Sequence, residues 1–257
     1  MKKTRHTKEL PVKTAGKSAL PAVQHVLERG FALKTIRIKF IKDSSVRFIS
    51  HLDMMKAFQR AIRRAGLEAE YSLGFNPQMQ MVFGAPLSLG FTSCAEYADF
   101  AFAGDYEPAF VMSELNKTLP SGLRVESSGV RTIKTNIMAD IRYAEYEFGF
   151  ESVMTPEDII EQILSADNLS VEKTRKGRTK TIDIRRLIVQ ANITANNMRV
   201  LVSAGNRDNL NPRLLAEAVA AHVDPGFRGF GYNRLEQYVE RAGRMVLPLS
   251  KEALENK

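Results

Sequence analysis

Between Ser50 and Gly66 the chain carries a helix with both ends written into it. Ser50 followed three residues later by Asp53 is a capping-box-like start, in which the serine oxygen can accept a backbone N–H that the first turn leaves unpaired. Gly66 stands where a helix ending at Ala65 needs a residue free to turn left-handed. Leu52, Met55, Phe58 and Ile62 recur at helical spacing and predict one buried stripe. Lys56, Arg60, Arg63 and Arg64 recur at steps of three and four on another face. An amphipathic helix of this kind must lie on something, and the neighbouring sequence offers strands.

Residues 35–42 (TIRIKFIK) alternate apolar and basic side chains, and residues 79–83 and 95–103 read as two further strands. A second helical pattern over residues 107–119 stops at Pro120-Ser121-Gly122, and residues 123–128 close the unit as a strand. The order then repeats in pattern, without identity between the halves. There is a strand at 143–151, a helix capped by Thr155 with Pro156 behind it, and an edge segment at 169–173. A hairpin of 187–194 with 198–203, a helix opened by Asn211-Pro212 and a strand at 235–240 complete it. The expected fold is α+β: two tandem ferredoxin-like (β-α-β-β-α-β) modules with antiparallel sheets. We divide the chain into a basic flexible extension (1–33), module 1 (34–130), a linker (131–140), module 2 (141–247) and a C-terminal tail (248–257).

A length of 257 residues supports one large domain or two small ones. The net charge of +8 points to an anionic partner or to a protein that is merely basic and soluble. Cys94 is the single cysteine, so no internal disulfide and no [4Fe–4S] cluster can form. No apolar run approaches the roughly 20 residues of a membrane span, and no apolar stretch follows the basic Met1-Lys2-Lys3 start. The expectation is a cytoplasmic chain with no membrane contact, no metal and no cofactor.

The charge is clustered. Beyond the helix, residues 175–186 (RKGRTKTIDIRR) hold Arg175, Lys176, Arg178, Lys180, Arg185 and Arg186 around Gly177, which reads either as a hairpin gripping phosphates or as a charged sheet edge. In the Gly74-Phe75-Asn76-Pro77 turn, Gly74 and Asn76 tolerate positive φ and Pro77 holds its predecessor extended. Such a loop either brings bare backbone to a phosphate or base or simply shapes entry to the next strand. His51 opens the helix, where the neutral imidazole is favoured; it reads as a general base or as a packed histidine beside the cap. Phe227, Phe230 and Tyr232 interleave with Arg228 and Arg234, a pattern able to stack on unpaired bases or to pack under its own loop.

The motifs FISHLDMMKAFQRAIRRAG, YSLGFNPQ, APLSLGFTSCAEY and RKGRTKTIDIR together resemble the radical SAM-linked protein family, the DUF2344 domain, over residues 34–240. That family reads GFNPHP where this chain has Gly74 to Met79 as GFNPQM, so the motif's histidine is absent. Its members occur alone or fused behind a radical SAM domain, and the resemblance implies a radical SAM enzyme as partner. With the charge pattern, the expected function is a non-catalytic RNA-binding accessory protein presenting structured RNA (tRNA or rRNA) to that partner. Lys56, Arg60, Arg63, Arg64, Arg175, Lys176, Arg178 and Lys180 would meet phosphates, with Asn76 nearer the bases. The alternatives are a metal-independent endoribonuclease or RNA-modifying enzyme using His51, and a protein-interaction scaffold without RNA.

Overall fold

The computed structural model describes residues 34–175, 178–194, 197–206 and 208–255. The basic extension and Lys176 therefore lie outside the described residues, and Arg175 and Arg178 are described in their backbone alone. In chain order the elements begin with β1 (Lys34–Lys42), α1 (His51–Arg64), β2 (Met81–Phe83), β3 (Thr92–Phe102), α2 (Pro108–Thr118) and β4 (Leu123–Arg131). They continue with α3 (Ile137–Asp140), β5 (Ile141–Glu151), α4 (Pro156–Ser165), β6 (Ser170–Arg175), β7 (Arg178–Asp183), β8 (Ile188–Thr194) and β9 (Asn197–Ser203). The last are α5 (Pro212–His222), β10 (Arg228–Arg241), β11 (Arg244–Val246) and α6 (Lys251–Leu254).

This is a mixed α+β architecture with a mostly antiparallel sheet. Seven strands run in the order β4-β1-β3-β10-β5-β9-β8, with β2 added on β3 and β11 on β10, while β6 and β7 pair only with each other. Along one edge of β3, β2 takes the far end (Met81 opposite Phe100) and leaves Thr92 and Ser93 to pair in parallel with Asn233 and Arg234 of β10. That parallel contact joins the two halves in one sheet.

The helices form where their caps dictate. Ser50 Oγ accepts from Asp53 N at 3.1 Å and donates to the Asp53 carboxylate at 2.7 Å. At the other end Gly66 adopts φ +66°, and the Gly66 and Leu67 amides bond back to Arg63 and Ile62, a Schellman closure. Proline occupies the first turn of α2, α4 and α5, where its missing N–H would have had no helical partner.

Two apolar clusters fill the space under the helices. One packs Met54, Phe58, Ala61 and Ile62 of α1 onto Ile36, Ile38 and Phe40 of β1 and Ala98, Phe100 and Phe102 of β3. The other packs α4 and α5 onto Ala144, Tyr146 and Phe148 of β5 and Met198, Val200 and Val202 of β9. Arg234 shows that both lie on the same face, since its guanidinium bonds Glu96 and Tyr146 together. Glu96 alternates in step with Ala98 and Phe100 under α1, and Tyr146 with Ala144 and Phe148 under α5.

Two expectations change in detail. The buried stripe of α1 runs through Met54, Phe58, Ala61 and Ile62, while Leu52 is 65% exposed. At roughly 100° per residue Leu52 is rotated by about a third of a turn from that stripe. The final strand starts at Arg228 rather than 235, so the aromatic run expected as a loop opens β10. Within the 131–140 stretch Ile137 is fully buried and Asn136 caps α3. The segment after β11 is likewise fixed to the back of the sheet: the Pro248 carbonyl accepts from buried Arg37, and Ala253 is fully buried.

Candidate nucleic-acid interface

On α1 the burial of one face throws the cations outward. Lys56, Arg60 and Arg63 lie on the side away from the Met54–Phe58–Ile62 stripe, and all are exposed. Lys56 sits 3.8 Å from Asp53, whereas Arg60 and Arg63 make no ion pair among the described residues. Arg64 is turned to the side and donates to the Thr118 carbonyl at the end of α2, so it is partly committed to packing.

Asn76 lies on an exposed tip closed by hydrogen bonds between Ser72 and Gln78, with Gly74 at φ +127° and open space around it. Sequence reasoning singled out Asn76 there, but the tip also holds Leu73 and Phe75, and Phe75 is as exposed as a side chain can be (112%). An apolar side chain held in water without a core partner is the signal that reading passed over.

The β6–β7 hairpin pairs Ser170 with Asp183 through to Arg175 with Arg178 and stands apart from the main sheet. Its base is fixed. The Asp183 carboxylate accepts from the Leu169 and Arg185 amides, which holds its pKa below the usual range, and His222 of α5 lies 2.6 Å from the Ser170 carbonyl. Lys180 is exposed. Arg185, counted in the same basic run, instead donates to the Leu164 carbonyl at the end of α4. The hairpin thus abuts α5, which shares the helical face with α1.

His51 is half-buried with its ring edge-on to Phe83 at 5.6 Å, and Nδ1 has no hydrogen-bond partner. Burial pushes its pKa below the ordinary value, and the charge of Glu96 only partly offsets this. Glu96 itself is held by Arg234 at 2.8 Å. The result is a neutral imidazole with no acid or base hydrogen-bonded to it among the described residues.

Where the halves meet, two buried cations shape the surface. Arg234 donates to the Ala85 and Pro86 carbonyls as well as to Glu96 and Tyr146, and is only 1% exposed. It is therefore withdrawn from the surface role that the interleaved aromatic pattern suggested. Lys42 Nζ donates to the Arg47 carbonyl at 3.0 Å and lies 3.5 Å from that of Phe91; burial lowers its pKa. Asn211, the cap of α5, donates to Ser88 Oγ at 2.9 Å. These bonds lock the Pro86–Gly90 turn, the 44–48 turn and α5 around a groove of about 720 Å³. Its exposed lining includes Arg47, Phe48, Leu89, Arg213, Glu217, Arg228 and Phe230, and Phe227 and Tyr232 are buried behind it. Arg47 and Phe48 escaped the sequence reading because Arg213 is far from them in the chain and each of the three is ordinary in its local context.

Among the described residues no group of three or more His, Cys, Asp or Glu side chains is placed to hold a metal ion, and no helix is long and apolar enough to cross a membrane. No curated protein matches the chain. Among solved structures it is similar to a chain of a Cbf5-Nop10-Gar1 complex, with 14% identity and a TM-score of 0.39 over 79% of this chain and 48% of that one. It thus spans about half the length of that chain. A second similarity is to an unknown protein from Galdieria sulphuraria, with 10% identity and a TM-score of 0.27 over 79% of this chain and 99% of the other. Both likenesses are too distant to bear on function. Residues 35–212, which include α1, the exposed tip, the hairpin and the cap of α5, match the DUF2344 family, described as an uncharacterized protein conserved in bacteria, and the chain belongs to that family.

Proposed function

We propose that this chain is an RNA-binding accessory protein, without catalysis of its own, that holds structured RNA such as tRNA or rRNA for a partner radical SAM enzyme. The observation that carries the reading is the outward face of α1, where Arg60 and Arg63 stand exposed and outside any ion pair among the described residues. Cations left unpaired on a rigid helix are suited to a phosphate backbone, because each phosphate neutralised releases counterions. In this reading Lys56 extends that face, Arg64 flanks it, and the hairpin carrying Arg175, Arg178 and Lys180, fixed at its base against α5, supplies further cations. Asn76, on its exposed tip, has the reach to touch bases.

We read the sheet as two ferredoxin-like units. The first has strand order β4-β1-β3-β2 and the second β10-β5-β9-β8, each with a helix after its first and third strands. In this reading β6–β7 is an insertion between α4 and β8, and its concentration of cations gives the insertion its purpose. The radical SAM partner rests on family resemblance alone.

Catalysis through His51 has less support, since among the described residues no acid or base is hydrogen-bonded to its imidazole. Electrophoretic mobility of a tRNA at low salt, with protein in excess, tests the reading. A retarded complex that weakens in Arg60→Gln/Arg63→Gln is expected, and unchanged mobility with the wild type would contradict it. Copurification of a radical SAM enzyme that disappears on ribonuclease treatment would support the presenting role.

A further inference from the structure

We propose that the groove between the Arg47–Phe48 turn and the start of β10 binds an unpaired nucleotide of single-stranded RNA, its base stacked on Phe48 or Phe230 and its phosphate held by arginine. The inference rests on the RNA-binding reading and sharpens it, because it specifies a loop or an end of the RNA rather than a duplex. With about 720 Å³ the groove is of a size that takes small organic ligands. Three arginines line it, Arg47, Arg213 and Arg228, all exposed and none in an ion pair among the described residues.

Its two aromatic rings are held and presented. Phe230 lies on Gly149, so close that a Cβ there would come within 2.5 Å of the ring, yet 53% of the residue is exposed. Phe48 is 67% exposed, rests 3.4 Å from the position of a Cβ on Gly90, and has the Arg47 guanidinium 4.8 Å from its centroid. Arg213 lies over Tyr232 at 5.8 Å, so a cation and an aromatic surface already meet in the wall. Lys42 fixes the turn carrying Arg47 and Phe48 from below, and Arg234 fixes the start of the Pro86–Gly90 turn against which Phe48 rests, which reduces the ordering that binding would require.

An exposed ring beside an arginine suits a base and its phosphate better than a bare anion. Glu217, the one carboxylate on the wall, disfavours a simple anion further while able to accept from base N–H groups. A duplex would offer the arginines its phosphates but keep its base faces stacked, leaving both rings idle.

Fluorescence anisotropy of the full chain with a labelled ten-nucleotide single-stranded RNA, and with the same strand annealed to its complement, tests the proposal. At least one of Phe48→Ala and Phe230→Ala is expected to weaken single-strand binding by roughly 10-fold, and both to leave duplex binding unchanged. Phe230→Leu keeps a side chain over Gly149 without a flat ring and should behave like the alanine variant, separating stacking from folding. Lys56→Gln/Arg63→Gln should weaken both forms alike. Single-strand affinity unaltered by the phenylalanine substitutions, in a wild type that binds RNA, would overturn the groove and spare the wider reading. Displacement of the strand by polyglutamate as readily as by unlabelled RNA would also overturn it, and a wild type that binds neither RNA removes both.

Discussion

Arg234 and Arg63 are the same residue type put to opposite uses. Arg234 is buried under the junction of the two halves and bonded to a carboxylate, a phenol and two backbone carbonyls. Arg63 stands on the outer face of α1 with no ion pair among the described residues. Burial of a guanidinium is tolerated only when nearly every N–H is matched, so the first is a structural element whose directions are fixed. Among the described residues the second is held only by its own helix, which leaves its guanidinium to meet an anion. The contrast separates cations that shape a surface from cations that act on it, a distinction net charge does not make.

The largest test of that contrast is Arg234→Met. It leaves Glu96 buried without its partner and should destabilise the fold by about 3–5 kcal/mol in urea unfolding; restoration by Glu96→Met in the same chain would show that the unpaired charge is the cause. Lys42→Met should cost less, about 1–3 kcal/mol, by removing a charge-assisted bond to the Arg47 carbonyl, which still accepts from the Gly90 amide at 2.9 Å. A smaller effect is expected from pH. His51 has a folded pKa below its ordinary 6.5, so it binds its proton more readily when unfolded. Its contribution is fully present above pH 6.5 and is lost as pH falls through the window below it. His51→Leu should flatten the stability profile there, and an unchanged slope would count against the burial of its ring. Smallest of all, Arg60→Gln/Arg63→Gln should move stability by no more than about 0.5 kcal/mol; a larger loss would mean these arginines belong with Arg234.

Much of the fold was legible because it is written locally. Ser50, Asp53 and Gly66 bounded α1, and Pro156 and Asn211-Pro212 opened α4 and α5, each by chemistry within one turn. Errors arose where tertiary packing decides. Leu52 matched the helical spacing, but the face that meets the sheet is centred on Phe58 and Ala61. The aromatic run at 227–232 resembled a loop because Gly226, Gly229 and Gly231 punctuate it; in the fold Gly229 admits the Tyr232 hydroxyl, where a Cβ would come within 2.5 Å. Arg234 looked like a surface cation because its partners Glu96 and Tyr146 are 138 and 88 residues away. The groove was illegible for the same reason, since no local pattern links Phe48 to Arg213 and Phe230.

The central claim is that the outer face of α1 grips phosphate. The most direct measurement is the affinity for a structured RNA at a series of salt concentrations, with wild type and Arg63→Gln side by side. The account predicts that log affinity falls linearly with log salt, and that the slope of the variant is smaller by about one. Equal slopes, or affinity that does not change with salt, would contradict it.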